Sequence, residues 1–229
     1  MTVLPWRGPV RRLPPLPWVV AAIVVAWVVL AGAYAAGYGG WFGHERAGSV
    51  VAWQVMTVAM MGPSCLPVAR YVAANTLVPG PAVALFLGGY LAAWTAFLGA
   101  FALADLAAHA VAEPGSGGAG AGVALALAAG WQLTPYKRTF LRACRTVDVL
   151  PAHGARARRA AGRLGLGQGA ACVGSCGALM LAAMATGSVA FMAAFAVLAW
   201  LEKAAGRPLP LARPSAAVLV AAALAYVLA

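Results

Sequence analysis

Acidic side chains are scarce: Asp and Glu together number five in 229 residues, beside three histidines and 16 Lys and Arg. Charged residues make up 9% of the chain and hydrophobic residues 63%, whereas a soluble domain carries about 25% charge. That shortage excludes a water-facing globular exterior, because too few polar side chains exist to cover one. The carboxylate and imidazole inventory is correspondingly poor. With a mean hydropathy of +0.85, the sequence predicts an all-α, polytopic helical membrane protein whose solvent is largely lipid.

Other absences narrow the class further. Four cysteines are too few and too apolar in setting for a disulfide framework; buried thiols at such places are reduced, and inert or metal-bound. No zinc-finger or RNP pattern accompanies the net charge of +11. Eight of the 16 basic residues fall between Lys137 and Arg163, and Arg7, Arg11 and Arg12 precede the first apolar run. Basic clusters beside apolar spans set orientation and meet anionic head groups, so the expected partner is the bilayer and not nucleic acid. "EPGSGGAGAG", residues 113–122, reads as an external loop; without a preceding strand or a following Lys-Ser/Thr it is no phosphate cradle. The first apolar run is too long for the core of a cleavable signal and reads as a retained anchor.

Apolar runs place spans at about 17–37, 50–70, 81–104 and 120–136. The run from Gly165 to Trp200 would extend about 54 Å as one helix at 1.5 Å per residue, against a hydrocarbon core of about 30 Å. A fold-back at "ATGS", residues 185–188, with a last span at 214–229, puts 15 of the 16 basic residues on one side and leaves Arg46 alone opposite. The positive-inside rule prefers that arrangement: about seven spans, N-terminus cytoplasmic, in a bacterial cytoplasmic membrane. Six spans is the alternative. The whole chain, 1–229, is then a single helical transmembrane domain with a basic cytoplasmic loop at about 137–163.

Within the apolar runs, sulfur recurs at helical spacing. Cys172, Cys176, Met180 and Met184 stand four apart and drift through only 120° of a helix. In the second span, Met56 and Met60 stand four apart, as do Met61 and Cys65, with Pro63 between them; a proline removes a hydrogen bond and clashes with the carbonyl of Ala59. This Met-x-x-x-Met is similar to the sulfur filter of copper transporters. In "GWQLTPYKRTFLRACR", residues 130–145, Gln132 is a polar side chain at membrane depth and Pro135 ends or kinks the helix. Lys137, Arg138, Arg142 and Arg145 mark its cytoplasmic end, and their charge is expected to lower the pKa of Cys144 toward the metal-binding thiolate. Packing explains each sulfur group taken alone, but three segments bring thiols to the same membrane face. Asp105 and His109 share a helix face and, with His44 and Glu45, offer an outer site of mixed ligands or an interfacial hydrogen bond; His153 reads as a loop residue. Gly88, Gly89 and Gly99 permit close helix contact.

"MTVAMMGPS", "GWQLTPYKRTFLRACR" and "CVGSCGALM…EK", ending at Glu202-Lys203, resemble in order three signature blocks of an uncharacterised bacterial family of predicted metal-binding integral membrane proteins. The resemblance implies a helical membrane protein with a metal site. It also implies a departure: that family often has cysteine where Phe140 and Ser175 stand, and tryptophan where Gly177 stands. Cys144, Cys172 and Cys176 remain as the carried-over ligands, enough for Cu(I) but not for a four-thiolate zinc or iron–sulfur site.

Thiolate and thioether donors select Cu(I) and similarly soft ions. The leading expectation is therefore a non-enzymatic membrane protein that binds copper through Cys144, Cys172 and Cys176, with Met56, Met60, Met61, Met180 and Met184 as weaker steps. It would act in metal handling or in delivery to a membrane oxidase, or exchange copper with a metallochaperone. The alternatives are a subunit or accessory of a copper-dependent membrane oxidase or monooxygenase, a membrane thiol oxidoreductase, and a metal-free structural protein. Cys172 and Cys176 cannot pair with each other, because i, i+4 Cβ atoms stand about 5–6 Å apart, beyond disulfide reach. A Cys144–Cys172 bridge stays open.

Overall fold

The computed structural model describes residues 4–5, 16–37, 46–111, 117–204 and 212–228. Among them are eight helices: α1 (Pro17–Ala35), α2 (Arg46–Asn75), α3 (Pro79–Val111), α4 (Gly117–Leu133), α5 (Pro135–Ala143), α6 (Gly154–Thr186), α7 (Val189–Ala204) and α8 (Ala212–Leu228). Two two-residue strands, β1 (Leu4–Pro5) and β2 (Thr146–Val147), pair antiparallel with Leu4 opposite Val147. The fold is all-helical, and the apolar runs read from the sequence correspond to α1–α4 and α6–α8. Four helical stretches are long and apolar enough to cross a membrane: Pro17–Ala35, Val50–Asn75, Pro79–Ala104 and Gly154–Thr186. α4, α7 and α8, at 17, 16 and 17 residues, are shorter.

α1 shows how the chain divides its surfaces. Pro17 occupies its first turn, where a missing N–H costs nothing. Val19, Ile23, Ala26 and Leu30 form a buried stripe, while Val24, Val25 and Val28 on the other faces remain exposed. A helix apolar on every side buries only the stripe that meets its neighbours.

The turn after α6 settles how the longest apolar run is accommodated. Gly187 ends the helix at φ +58, a left-handed conformation that glycine adopts without a Cβ penalty. α7 then returns along α6: the Lys203 ammonium, 16 residues beyond Gly187, meets the thiol of Cys172, 15 residues before it. A hairpin at residues 187–188 thus replaces a single rod.

α6 is the central post, in contact with α3, α4, α5 and α7, and α2 packs on α1, α3 and α7. Close approach of α3 and α6 depends on glycine. A Cβ placed on Gly165 would stand 1.9 Å from the Phe86 carbonyl oxygen, and one on Gly169 would stand 2.7 Å from that of Tyr90. Gly89 meets the Gly162 carbonyl from the other side, whereas Gly88 and Gly99 face open space, so only one of the three glycines singled out from sequence makes such a contact. α2 is tied to α3 by the Trp53 indole N–H donating to the Trp94 carbonyl at 3.1 Å and by Gln54 bonded to Thr95.

Two expectations about loops are corrected. The basic segment 137–163 is largely helical: α5 covers Lys137 to Ala143, and Arg156, Arg158, Arg159 and Arg163 ride on the first three turns of α6. Thr134 caps α5 by accepting from the Lys137 N–H, and Pro135 pre-sets its first turn. The Gly-rich stretch is helical from Gly117 onward, and within it Gly122 lets α4 lie close on α8, where a Cβ would meet Val227 at 2.6 Å.

Candidate metal centre

Sulfur accumulates in the main core. Met56, Met60 and Met61 of α2, Cys172, Cys176 and Met180 of α6, and Met192 of α7 are all buried in one cluster, together with Cys65, Trp53, Tyr90, Trp94 and Leu125. Met184 packs half-buried at its edge. The α6 stripe therefore faces inward, with Cys172 meeting Tyr90 of α3 and Lys203 of α7. α2 stays helical through Pro63 and Pro67. Beside Pro63, the Ser64 hydroxyl donates to the Met61 carbonyl at 2.8 Å and the Cys65 thiol to that of Gly62 at 3.3 Å, so the carbonyls flanking the proline are engaged by side chains.

Cys144 joins the α6 pair. It stands at the C-terminal end of α5, its Sγ 3.7 Å from Ser175 Oγ, and that same oxygen lies 3.4 Å from Cys176 Sγ. Ser175 donates in turn to the Cys172 carbonyl at 3.1 Å. Ser175 is one of the two positions at which the resemblance implies cysteine, and it lies between two thiols. Phe140, the other, packs its ring over Gly174. All four cysteines are free, so the Cys144–Cys172 bridge left open by sequence is not formed.

Cations enter this cluster in a way the sequence did not disclose. The Lys203 ammonium donates to Cys172 Sγ at 2.8 Å and to Ser64 Oγ at 3.2 Å. Tyr90 Oη donates to the same sulfur at 2.9 Å. Cys65, Cys144 and Cys176 also lie within electrostatic reach of Lys203. Cys172 Sγ thus accepts from side chains of two other helices, Tyr90 of α3 and Lys203 of α7.

Below the thiols lies a buried ion pair. Lys137 and Glu202 are 2% and 7% exposed, with the ammonium 2.9 and 2.7 Å from the two carboxylate oxygens. Gln132 bonds the same ammonium through its side-chain oxygen, and the Arg145 guanidinium donates to the Glu202 main-chain carbonyl at 2.5 Å. Lys137 is thus not a solvated marker of the helix end, as the run of cations implied. Its counter-charge comes from α7, one of five acids in the chain and 65 residues away. Nor do the cations prevail at Cys144: burial pushes its thiol above the ordinary value, and Lys203, more than Arg145, opposes that.

The donors suit a soft ion: sulfur alone, with the buried carboxylate already paired. Among the described residues, no group of three His, Cys, Asp or Glu side chains stands ready to hold a metal. The thiols are instead engaged by Ser175, Tyr90 and Lys203, and those bonds must be exchanged before three sulfurs can meet one ion. Of the outer-site residues, His44 and Glu45 lie outside the described residues, as do the side chains of Asp105 and His109 on α3. His153 is exposed at the N-cap of α6. Tyr90, Ser64 and Met192 were missed by sequence reading. Glu202 and Lys203 entered it only as the end of the third signature block and Ser175 only as a departure from the family, without a part in the site.

The chain matches a family described as copper chaperones, PpoB2, over residues 50–226. That range holds all but the first turn of α2, the whole of α3 through α7 and most of α8, and so every sulfur described above. No curated protein and no solved structure matches the chain.

Proposed function

Because the chain belongs to the PpoB2 family of copper chaperones, we propose that it carries its cargo as Cu(I), on sulfur, within a bacterial cytoplasmic membrane. Cys144, Cys172 and Cys176 are the primary donors in this reading. The observation that carries it is the Ser175 hydroxyl on α6, 3.7 Å from the Cys144 thiol at the end of α5 and 3.4 Å from the Cys176 thiol, with Cys172 one turn away on the same helix. Thiolate and thioether are soft donors and favour Cu(I) over hard divalent ions. Met56, Met60, Met61, Met180 and Met184, with Met192 added by α7, are weaker thioether steps. An ion can pass along them because each binds loosely enough to release it.

In this reading α1–α4 and α6–α8 make seven crossings, an arrangement supported by the α6–α7 hairpin and by the one-sided distribution of basic residues. The N-terminus, α5 and the basic start of α6 are then cytoplasmic, and the chain is one membrane-embedded unit. The exposed valines of α1 meet lipid. The recipient is a copper-dependent membrane enzyme, and the chain itself catalyses nothing.

Anaerobic purification after exposure to Cu(I), followed by elemental analysis, tests the proposal. One copper per chain is expected in the wild type, lost in Cys172→Ser/Cys176→Ser and kept in His109→Ala. A copper-free wild type, or copper retained by the double thiol variant, contradicts it.

A further inference from the structure

We infer that Lys203 is a built-in stand-in for the cargo: its ammonium holds the empty thiol pocket, and the arriving metal ion displaces it. The inference rests on the thiol site proposed above. Lys203 lies in the last turn of α7, within 2.8 Å of Cys172 Sγ and 3.2 Å of Ser64 Oγ, and all four cysteines feel its charge.

Three features favour displacement over shared occupancy. First, Cys172 Sγ already accepts from Lys203 and from Tyr90 Oη, so bonding an ion requires it to shed a donor. Second, two cations a few ångströms apart in a buried pocket repel strongly, because little solvent screens them. Third, Lys203 is free to go. The chain has two lysines, and the other, Lys137, is held by Glu202 through both carboxylate oxygens. Among the described residues, Lys203 makes no ion pair with a carboxylate. It is half-buried at the end of its helix, and its four-carbon stem can carry the charge outward.

The exchange balances. One ammonium leaves with its proton, one monovalent ion enters, no electron moves, and any thiol that ligates as a thiolate gives its proton to solvent. A carrier built this way avoids stranding unpaired thiolates in its core when it gives up the ion, since Lys203 returns to them.

Amine labelling of the full-length protein in detergent, read by mass spectrometry, tests this with Ag(I) as a redox-inert monovalent probe. Loading is expected to raise Lys203 labelling at least ~3-fold while Lys137, locked in its ion pair, stays unlabelled. Lys203→Leu should also bind Ag(I) about tenfold more tightly, having no competitor to expel and no donor of its own. Bound Ag(I) with unchanged or reduced Lys203 labelling overturns the inference and leaves the thiol site standing, as does a folded Lys203→Leu variant with unchanged or weaker affinity. A wild type that binds no Ag(I) overturns both readings. Should Lys203→Leu not fold, wild-type labelling decides.

Discussion

Glu202→Gln removes the counter-charge from Lys137 while preserving shape. The ammonium then stays 2% exposed, with the Gln132 oxygen and an amide in place of a carboxylate whose oxygens stood 2.7 and 2.9 Å away. Breaking a buried pair by removing one partner costs about 3–5 kcal/mol, because the remaining charge has lost its compensation. At roughly 2–4 °C per kcal/mol for a chain of this size, the unfolding midpoint should fall by about 6–20 °C. Thermal unfolding in detergent, followed with a thiol-reactive fluorophore, suits this protein because Cys65, Cys172 and Cys176 are buried when it is folded. Lys137→Met/Glu202→Leu is the control. It removes both charges, so it should recover most of the loss. A Glu202→Gln midpoint within ~1 °C of wild type would refute the reasoning, as would a double variant no better than the single one.

Three further outcomes follow from the packing, the electrostatics and the proposed topology. Gly165→Ala places a methyl against the Phe86 carbonyl and should cost about 1–3 kcal/mol by overpacking, read as a lower midpoint, whereas Gly88→Ala, facing open space, should leave it unchanged or raise it. Burial keeps the Cys144 thiol protonated at neutral pH, its pKa lying above the ordinary value of 9.0, so alkylation of Cys144 should climb about tenfold per unit between pH 7 and 9; a plateau near pH 7 would mean that the cations win after all. A cysteine introduced at His153, an exposed position, should react with a membrane-impermeant maleimide only in inverted vesicles. Labelling of right-side-out vesicles would reverse the proposed orientation.

Much of the fold was legible because long apolar helices declare themselves by length and apolarity: α1, α2 and α3 begin and end within a few residues of their predicted bounds, apart from the extensions of α2 and α3 into less apolar sequence. The fold-back at "ATGS" was legible from charge. The helical basic segment was not, since Arg156 to Arg163 look the same on a solvated helix as in a loop. At the site, the i, i+4 sulfur pattern placed Cys172, Cys176 and Met180 on one face, and they are indeed buried together. Lys203 and Glu202 stood out only as the end of the third signature block, with no role attached. Their roles depend on α7 lying back against α6 and α5, a tertiary fact with no local signature. The cationic run around Cys144 misled in the opposite way: neighbours in sequence predicted a lowered thiol pKa, but burial by α6 outweighs them.

X-ray absorption at the copper edge of the Cu(I)-loaded, full-length chain tests the central claim most directly. The account predicts a first shell of sulfur alone, losing one sulfur neighbour in Cys144→Ser. A shell containing nitrogen or oxygen donors, or a sulfur shell unaltered by that substitution, would contradict it.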